Sequence, residues 1–322
     1  MVKTTRKGIR KTTVNRKSRN IIKNMTLYEM FQRFMIDKRA EGLSRTTIEG
    51  YEITYGYLED FLLGDLANEE ITTDVFTDYI GYMLHEKNLS PVTANVRIRT
   101  MRAFLRYCYE RDWIYEPIHE SFKPVKTGEI KIDAFTPDEV NLLLHQIDDT
   151  RYVGFRDKVM ILIMLDTMVR VSELLKIRRA NVDLKNGSIQ LEPHETKMKR
   201  ARIVPLSTKS VKLLAEYLEE TQDFEEDTLF VTYDGRPISD NTFRKQLIQY
   251  KDLAGIKNKR VSPHTFRHTG ALFYILNGGD PFSLQDILGH TDMSMVRRYI
   301  KMSNVHIKRQ HNSFSPLLSL NK

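Results

Sequence analysis

The sequence predicts a mainly α-helical protein with a small β-sheet, built as a small all-helical domain followed by a larger α+β one. Three observations predict it. Apolar residues recur at helical spacing through most of the chain. Only three short runs read as strands, and all lie in the second half. A polar stretch with two prolines, residues 117–133, separates the two halves. The length of 322 residues suits two domains of ordinary size.

Taken in order, residues 1–24 read as a basic, disordered tail. Thr26-Leu-Tyr-Glu29 has the pattern of a capping box, and Leu27, Met30, Phe31, Phe34 and Met35 follow as one face of a helix that Gly42 ends. A second helix after Ser44 turns Ile48, Tyr51, Tyr55, Leu58 and Leu62 inward. A third, over about 73–86, buries Val75, Tyr79, Ile80 and Met83. Ser90-Pro91 caps a fourth, with Val92, Val96, Met101, Phe104, Leu105 and Cys108 inward. Its other face carries Arg97, Arg99, Arg102 and Arg106, a stripe that suits DNA phosphates and equally suits a solvated face. The helical domain thus spans 25–116, the linker 117–133, the second domain 134–304 and a C-terminal tail 305–322. The second domain opens at Thr136-Pro-Asp-Glu139 and contains an apolar helix around 159–165. Strands at 188–191 and 202–205 form a hairpin, and 229–232 is a further strand.

Composition narrows the function. The formal charge is +8, yet residues 1–24 hold nine Lys or Arg and no acid. The remainder has 41 basic and 42 acidic residues, so the folded body is close to neutral. A basic tail suits a polyanion, through release of phosphate counterions, and equally suits a solubilising extension. No apolar run reaches the roughly 18 residues of a membrane span, and no apolar segment follows the basic start as in a secretory signal. The single cysteine, Cys108, excludes an intramolecular disulfide and sits in an apolar stripe. A cytoplasmic protein is expected.

The chemistry concentrates in the second domain. In Ser262-Pro-His-Thr-Phe-Arg-His-Thr269 a proline at the helix start places His264 and Arg267 three apart, on one face. The guanidinium fork matches phosphate oxygens, and imidazole moves protons near neutral pH. His-x-x-Arg alone is common. Gly289 ends a helix and leaves His290 projecting into a loop, and nine residues later stands Tyr299, one of fifteen tyrosines, behind Arg297 and Arg298. Arg170 follows the apolar run 160–165, where a charge requires an anion or a carboxylate, and Glu173 three residues on is a structural partner steadying the turn. Lys197 lies in the turn of the predicted hairpin, beside Lys199 and Arg200, where most lysines are merely solvated.

Singly, these residues are unremarkable. Together, in this order, Arg170-Val-Ser-Glu-Leu174, the hairpin Lys197, Arg202-Ile-Val-Pro-Leu206, His264-Thr-Phe-Arg-His-Thr269, Leu288-Gly-His290 and Tyr299 resemble the signature of the tyrosine recombinase, or phage integrase, family. The resemblance runs from about Thr26 to Tyr299. It implies that the helical part, including the Ser90-Pro-Val-Thr93 helix start, is a core-binding domain, and that the rest is the family's catalytic domain. Two departures stand out. The family has a glycine two residues before the first arginine, where this chain has Met168. Nothing before Thr26 is long enough for a separate arm-binding domain.

The resemblance implies a mechanism. Tyr299 attacks a phosphodiester, forming a 3′-phosphotyrosyl link and a free 5′ hydroxyl. Arg170 and Arg267 stabilise the transferring phosphoryl group, and His290 bonds the same phosphate. His264 assists proton removal or holds a phosphate oxygen, and Lys197 protonates the leaving oxygen. Because the link conserves bond energy, neither ATP, metal nor other cofactor is expected. The implied partners are duplex DNA at two recombination sites, clamped between the two domains, and further copies of the chain as a tetramer. Arg97, Arg99, Arg102, Arg106, Lys199 and Arg200 are candidate DNA contacts. The apolar end (Phe314, Leu317, Leu318, Leu320) is expected to dock on a neighbouring protomer. Two other readings are a type IB topoisomerase, with the same phosphotyrosine chemistry, and a non-catalytic DNA-binding protein. The helical first domain and Leu288-Gly-His290 favour the recombinase.

Overall fold

The computed structural model describes residues 3–4, 10–11, 25–128, 132–192, 201–257, 259–303, 307–315 and 317. Within the basic tail, β1 (Lys3–Thr4) pairs antiparallel with β2 (Arg10–Lys11), so these four residues are not the coil expected of them. The chain divides into two compact units, residues 1–130 and 131–322.

The first unit is helical. In α1 (Leu27–Ala40) the Thr26 hydroxyl accepts from the Glu29 amide at 3.3 Å while the Thr26 amide donates to the Glu29 carboxylate at 3.0 Å. This reciprocal pair satisfies two of the donors that a helix start leaves open. Its apolar face packs against α2 (Arg45–Leu62) and α4 (Pro91–Glu110), with Phe31 stacked on Tyr55 at 3.9 Å between ring centres. The third helix, α3 (Thr73–Gly81), continues into one π-helical turn over Tyr82–Glu86 and buries Phe76, Tyr79 and Met83.

The inward face of α4 departs from expectation in its first turns. Val92 and Val96 are each 49% exposed, whereas Ala94 and Ile98 are buried. Ala94, Ile98, Met101, Leu105 and Cys108 form an unbroken 4-3-4-3 stripe, and the small Ala94 lets the helix start approach its neighbours. The arginine stripe is only partly free. Arg97 stacks on the Tyr57 ring at 3.5 Å, and Arg102 donates to the His119 carbonyl at 2.8 Å. Arg99 and Arg106 are exposed. The first part of the stretch read as a connector also belongs to this unit. Short α5 (Ile118–Ser121) buries Ile118, Phe122 joins the same core, and the Asn95 side chain bonds both backbone groups of Val125.

In the second unit α6 (Pro137–Leu144) repeats the capping box, through Thr136 and Glu139. The central helix is α7 (Tyr152–Thr167), where Val159, Met160, Ile161, Ile163 and Met164 are all fully buried. Burial on every side is what an apolar helix without a polar face requires. Its one buried ion pair, Arg156 with Asp157, is completed by the Tyr250 hydroxyl at 2.9 Å. A short α8 (Val171–Leu174) leads to a three-stranded antiparallel sheet, β3 (Val182–Asp183), β4 (Ser188–Leu191) and β5 (Arg202–Pro205). The expected hairpin is β4–β5, and Ile189, Leu191 and Val204 turn into the core. Residues 229–232 are not the strand anticipated. Leu229, Phe230 and Val231 are buried, but this stretch and the residue before it make only isolated bridges, Arg178 to Thr228 and Val231 to Pro237. An apolar run of three cannot by itself distinguish a strand from a buried crossing.

The remaining helices are α9 (Thr208–Glu220), α10 (Asp240–Leu253), α11 (Pro263–Leu276), α12 (Pro281–Leu288), α13 (Ser294–Ser303) and α14 (Ile307–Phe314). The packing that shapes the site is α11 on α7. A Cβ at Gly270 would lie 2.2 Å from the Leu165 carbonyl oxygen, so only glycine permits this approach. It brings the first turns of α11 against the C-terminal end of α7.

Candidate active site

The site begins where α7 stops. Met168 caps the helix in the left-handed region at φ +54°, the place where the family pattern has glycine. Methionine is retained there because its side chain is 2% exposed and packs in the cluster that holds Tyr299. Two residues on, the Arg170 amide and guanidinium both bond Glu173, each at 2.9 Å. Glu173 is fully buried and also receives Arg202 from β5, at 3.1 and 2.7 Å. Burial alone would raise this carboxyl. The hydrogen bond and charge of Arg202, with Arg170 behind them, outweigh burial and hold it below its ordinary range. Glu173 thus bonds two arginines, Arg170 and Arg202, where the sequence suggested Arg170 alone.

Sequence alone gives Arg202 no role beyond membership of a strand motif. In the fold its Nε donates to the Ile287 carbonyl at 3.1 Å, tying β5 to the end of α12. The glycine after α12 accommodates it. Gly289 has φ +62°, and a Cβ there would lie 3.1–3.2 Å from the Arg202 guanidinium. Both the turn and the close approach require glycine, which accounts physically for Leu288-Gly-His290.

Arg267, in the second turn of α11, is 4% exposed. It donates to the Met168 carbonyl at 2.5 Å, the Leu288 carbonyl at 2.9 Å and His290 Nε2 at 3.0 Å. All three acceptors are neutral. Burial, and then the nearby Arg170 charge, pull this guanidinium down to about 9. Since Nε2 of His290 accepts, the ring proton sits on Nδ1, which is buried and has no hydrogen-bond partner among the described residues. Burial and then Arg267 lower His290 to about 4, so it is neutral at physiological pH. His264 lies on the exposed side of the same helix. Partial burial of its ring first, then Arg244, Arg267 and Arg170, hold it below the ordinary histidine value.

Three arginines, Arg170, Arg202 and Arg267, therefore stand near one carboxylate, Glu173, which bonds only the first two. An arrangement with surplus buried positive charge, an unsatisfied Nδ1–H and carbonyl-braced guanidinium forks is built to receive an anion with several oxygens.

Tyr299, on α13, is fully buried. Its hydroxyl lies 2.6 Å from His268 Nδ1. Burial raises the phenol, and Arg267 and then Arg298 work against that rise. His268 was not among the predicted site residues, although it stands one residue after Arg267 and one turn after His264. Lys197, Lys199 and Arg200 lie outside the described residues.

The phage integrase family model matches residues 133–306, and the phage integrase SAM-like domain matches residues 26–124. The chain belongs to the phage integrase family. It is a tyrosine recombinase, a DNA strand transferase. Tyrosine recombinase XerD of Listeria innocua serovar 6a is 28% identical over 299 residues, covering 90% of this chain and 98% of that protein. XerD of Staphylococcus aureus is 28% identical over 298 residues, covering 90% and 99%. Among solved structures, the Tn1549 transposon integrase in complex with a circular intermediate DNA superposes with a TM-score of 0.74 at 19% identity, over 89% of this chain and 100% of that one. A lambda integrase tetramer bound to a Holliday junction gives 0.72 at 18%, over 87% and 78%. These structural likenesses extend the integrase fold over both units of this recombinase. No described helix is long and apolar enough to cross a membrane.

Proposed function

We propose that this recombinase cuts and rejoins duplex DNA at two sites, with Tyr299 as nucleophile and Arg170, Arg267 and His290 as the phosphate clamp. The observation that carries the reading is Arg267, a buried guanidinium whose hydrogen bonds among the described residues go only to neutral acceptors. A scissile phosphodiester supplies the missing anion, and fixed donors then stabilise the charge that develops on its non-bridging oxygens. The Tyr299 oxygen bonds to phosphorus as the bond to the 5′ oxygen breaks. Lys197 protonates that leaving oxygen, and His264 holds a phosphate oxygen from the exposed side. Rejoining runs the same steps backward with another 5′ hydroxyl.

Because Tyr299 has no exposure in the free chain, its hydroxyl must be uncovered before DNA reaches it, and cutting is coupled to assembly. The partner copies form a tetramer on DNA. The exposed Phe314 and Leu317, at the end of α14, dock on a neighbouring protomer. Truncation after Ser303 should leave binding of a single site intact and lower cleavage severalfold; unchanged cleavage would refute the docking. Arg99 and Arg106 contact phosphates, as do Lys199 and Arg200. We place the enzyme in the cytoplasm, with its DNA.

The decisive test uses a duplex selected from random sequence by the full-length protein and nicked beside the cleavage position, so that the covalent adduct is trapped. Wild type should accumulate adduct and Tyr299→Phe none. Adduct formation by Tyr299→Phe would remove the central assignment. The tail is tested by salt. Deleting residues 1–24 should weaken binding and flatten the plot of log affinity against log salt by roughly 0.9 for each phosphate that the tail neutralises. An unchanged slope would make the tail a mere extension.

A further inference from the structure

The hydrogen bond between Tyr299 and His268 joins the reacting oxygen to a group that has no part in the steps of cleavage described so far. It is 2.6 Å long and is the bond made by the Tyr299 hydroxyl among the described residues. A buried phenol needs an acceptor for its proton, since a buried donor left unpaired loses roughly 1–3 kcal/mol. The neutral His268 ring therefore accepts at Nδ1, with its own proton on Nε2. We propose that His268 takes the proton from Tyr299 as the tyrosine attacks, which makes it a catalytic residue of strand cleavage. The inference rests on Tyr299 being the nucleophile.

The balance of the step is simple. The Tyr299 O–H bond breaks as Nδ1–H forms. The phenolic oxygen bonds to phosphorus, and the P–O5′ electron pair leaves with the 5′ oxygen, which takes its proton from a separate donor. On rejoining, the imidazolium returns its proton to the departing phenol.

Placement favours His268 over His264 for this role. Both lie on α11, one turn apart, but His264 faces outward while His268 touches the hydroxyl. His268 also adjoins Arg267, so the phosphate clamp and the proton acceptor ride on one helix, fixed against α7 at Gly270. Geometry comes first in choosing a general base, and basicity second. In the free protein, burial, then His264 and Arg267, pull the ring down to about 4, against a smaller opposing effect of Asp133. From α13, Arg298 acts on the phenol, as does Arg267. The ring is thus an acceptor at rest but a weak base. A phosphodiester on Arg267 offsets the smaller opposing effect of that arginine's charge, while the larger effect of burial stays, so DNA in the site makes the ring a better acceptor than it is at rest.

The test compares full-length wild type, His268→Asn, His268→Leu and Tyr299→Phe on the nicked duplex, in single turnovers at saturating protein. Asparagine places an oxygen acceptor near the Nδ1 position but cannot take a proton; leucine does neither. Both variants should form adduct on the order of 100-fold more slowly or worse, the usual range for a missing general base, with DNA affinity unchanged. The deficit should persist on a duplex with bridging sulfur at the 5′ position, whose leaving group needs no proton. The wild-type rate should level off with rising pH, and the Asn variant should keep climbing. A wild-type rate in either variant overturns the proposal, because a bond that merely satisfies a buried phenol is replaced by asparagine. A deficit that vanishes with the sulfur substrate overturns it too, by moving His268 to the leaving-group side. If the Leu variant melts early, the Asn variant decides. Adduct formation by Tyr299→Phe would instead sink the nucleophile assignment, whereas its absence beside a fully active His268→Leu would sink only this one.

Discussion

Replacing Arg267 with leucine should lower the rate of covalent adduct formation by about a thousandfold or more, while changing folding stability by no more than about 2 kcal/mol. The two effects separate because of what the guanidinium touches. Its acceptors are the carbonyls of Met168 and Leu288 and the His290 ring. Losing three hydrogen bonds to neutral groups removes roughly 1 kcal/mol each. Against that, a buried cation without a carboxylate carries a desolvation penalty of several kcal/mol, and leucine removes it. A structural arginine shows the opposite balance, since deleting it strands a partner carboxylate. Arg267→Lys keeps a charge but not the fork, and should still lose about two orders of magnitude. Adduct kinetics and urea unfolding on the same samples check this. Arg267→Leu that cleaves normally, or that unfolds like a broken buried ion pair, would show that no phosphate sits there.

Much of this architecture is written in local sequence. Capping boxes at Thr26 and Thr136, the serine-proline start at Ser90, and the glycine stop at Gly289 all act within one helical turn. So does the pairing of Arg170 with Glu173, three residues apart. What escapes sequence reading depends on long-range packing. Arg202 meets Glu173 across 29 residues and Ile287 across 85. His268 meets Tyr299 across 31. No periodicity reports such a meeting, because it is set by how closely α11 approaches α7 and α13. The misplaced face of α4 has a related cause. Val92 and Val96 are the more apolar residues, but Ala94 fits the narrow space and Ile98 continues its stripe. At Met168 the rule that left-handed caps are glycine is overridden by burial of the side chain beside Tyr299, worth more than the roughly 1 kcal/mol of backbone strain.

The largest stability effect is expected at Glu173. Alanine there leaves Arg170 and Arg202 partly buried without their carboxylate, and breaking such a pair destabilises by roughly 3–5 kcal/mol. Glutamine keeps the shape and loses the charge, so it isolates the electrostatic part. The folded-state pKa of Glu173 lies below its ordinary 4.5, because Arg202 and Arg170 outweigh the burial that would raise it. A depressed carboxyl contributes stability that is fully present above the unfolded value and lost as pH falls through the folded one. Wild type should therefore lose this contribution on acidification below about 4.5, and Glu173→Gln should lack that part of the acid dependence. Other carboxyls with lowered pKa, such as Asp37 and Glu139, titrate in both proteins and cancel in the difference. Urea midpoints for the two proteins at pH 7 and in acid measure it; parallel acid sensitivity would mean that the carboxylate is not ionised in the fold. Adduct formation should fall with stability in Glu173→Gln even where the protein stays folded. In the proposed clamp Arg170 reaches the phosphate from the position that this carboxylate sets, and Arg202, held by the same two oxygens, keeps the end of α12 where His290 meets Arg267. One buried carboxylate thus sets the spacing of the proposed clamp on two sides, which is why its loss should be felt in chemistry that it never touches.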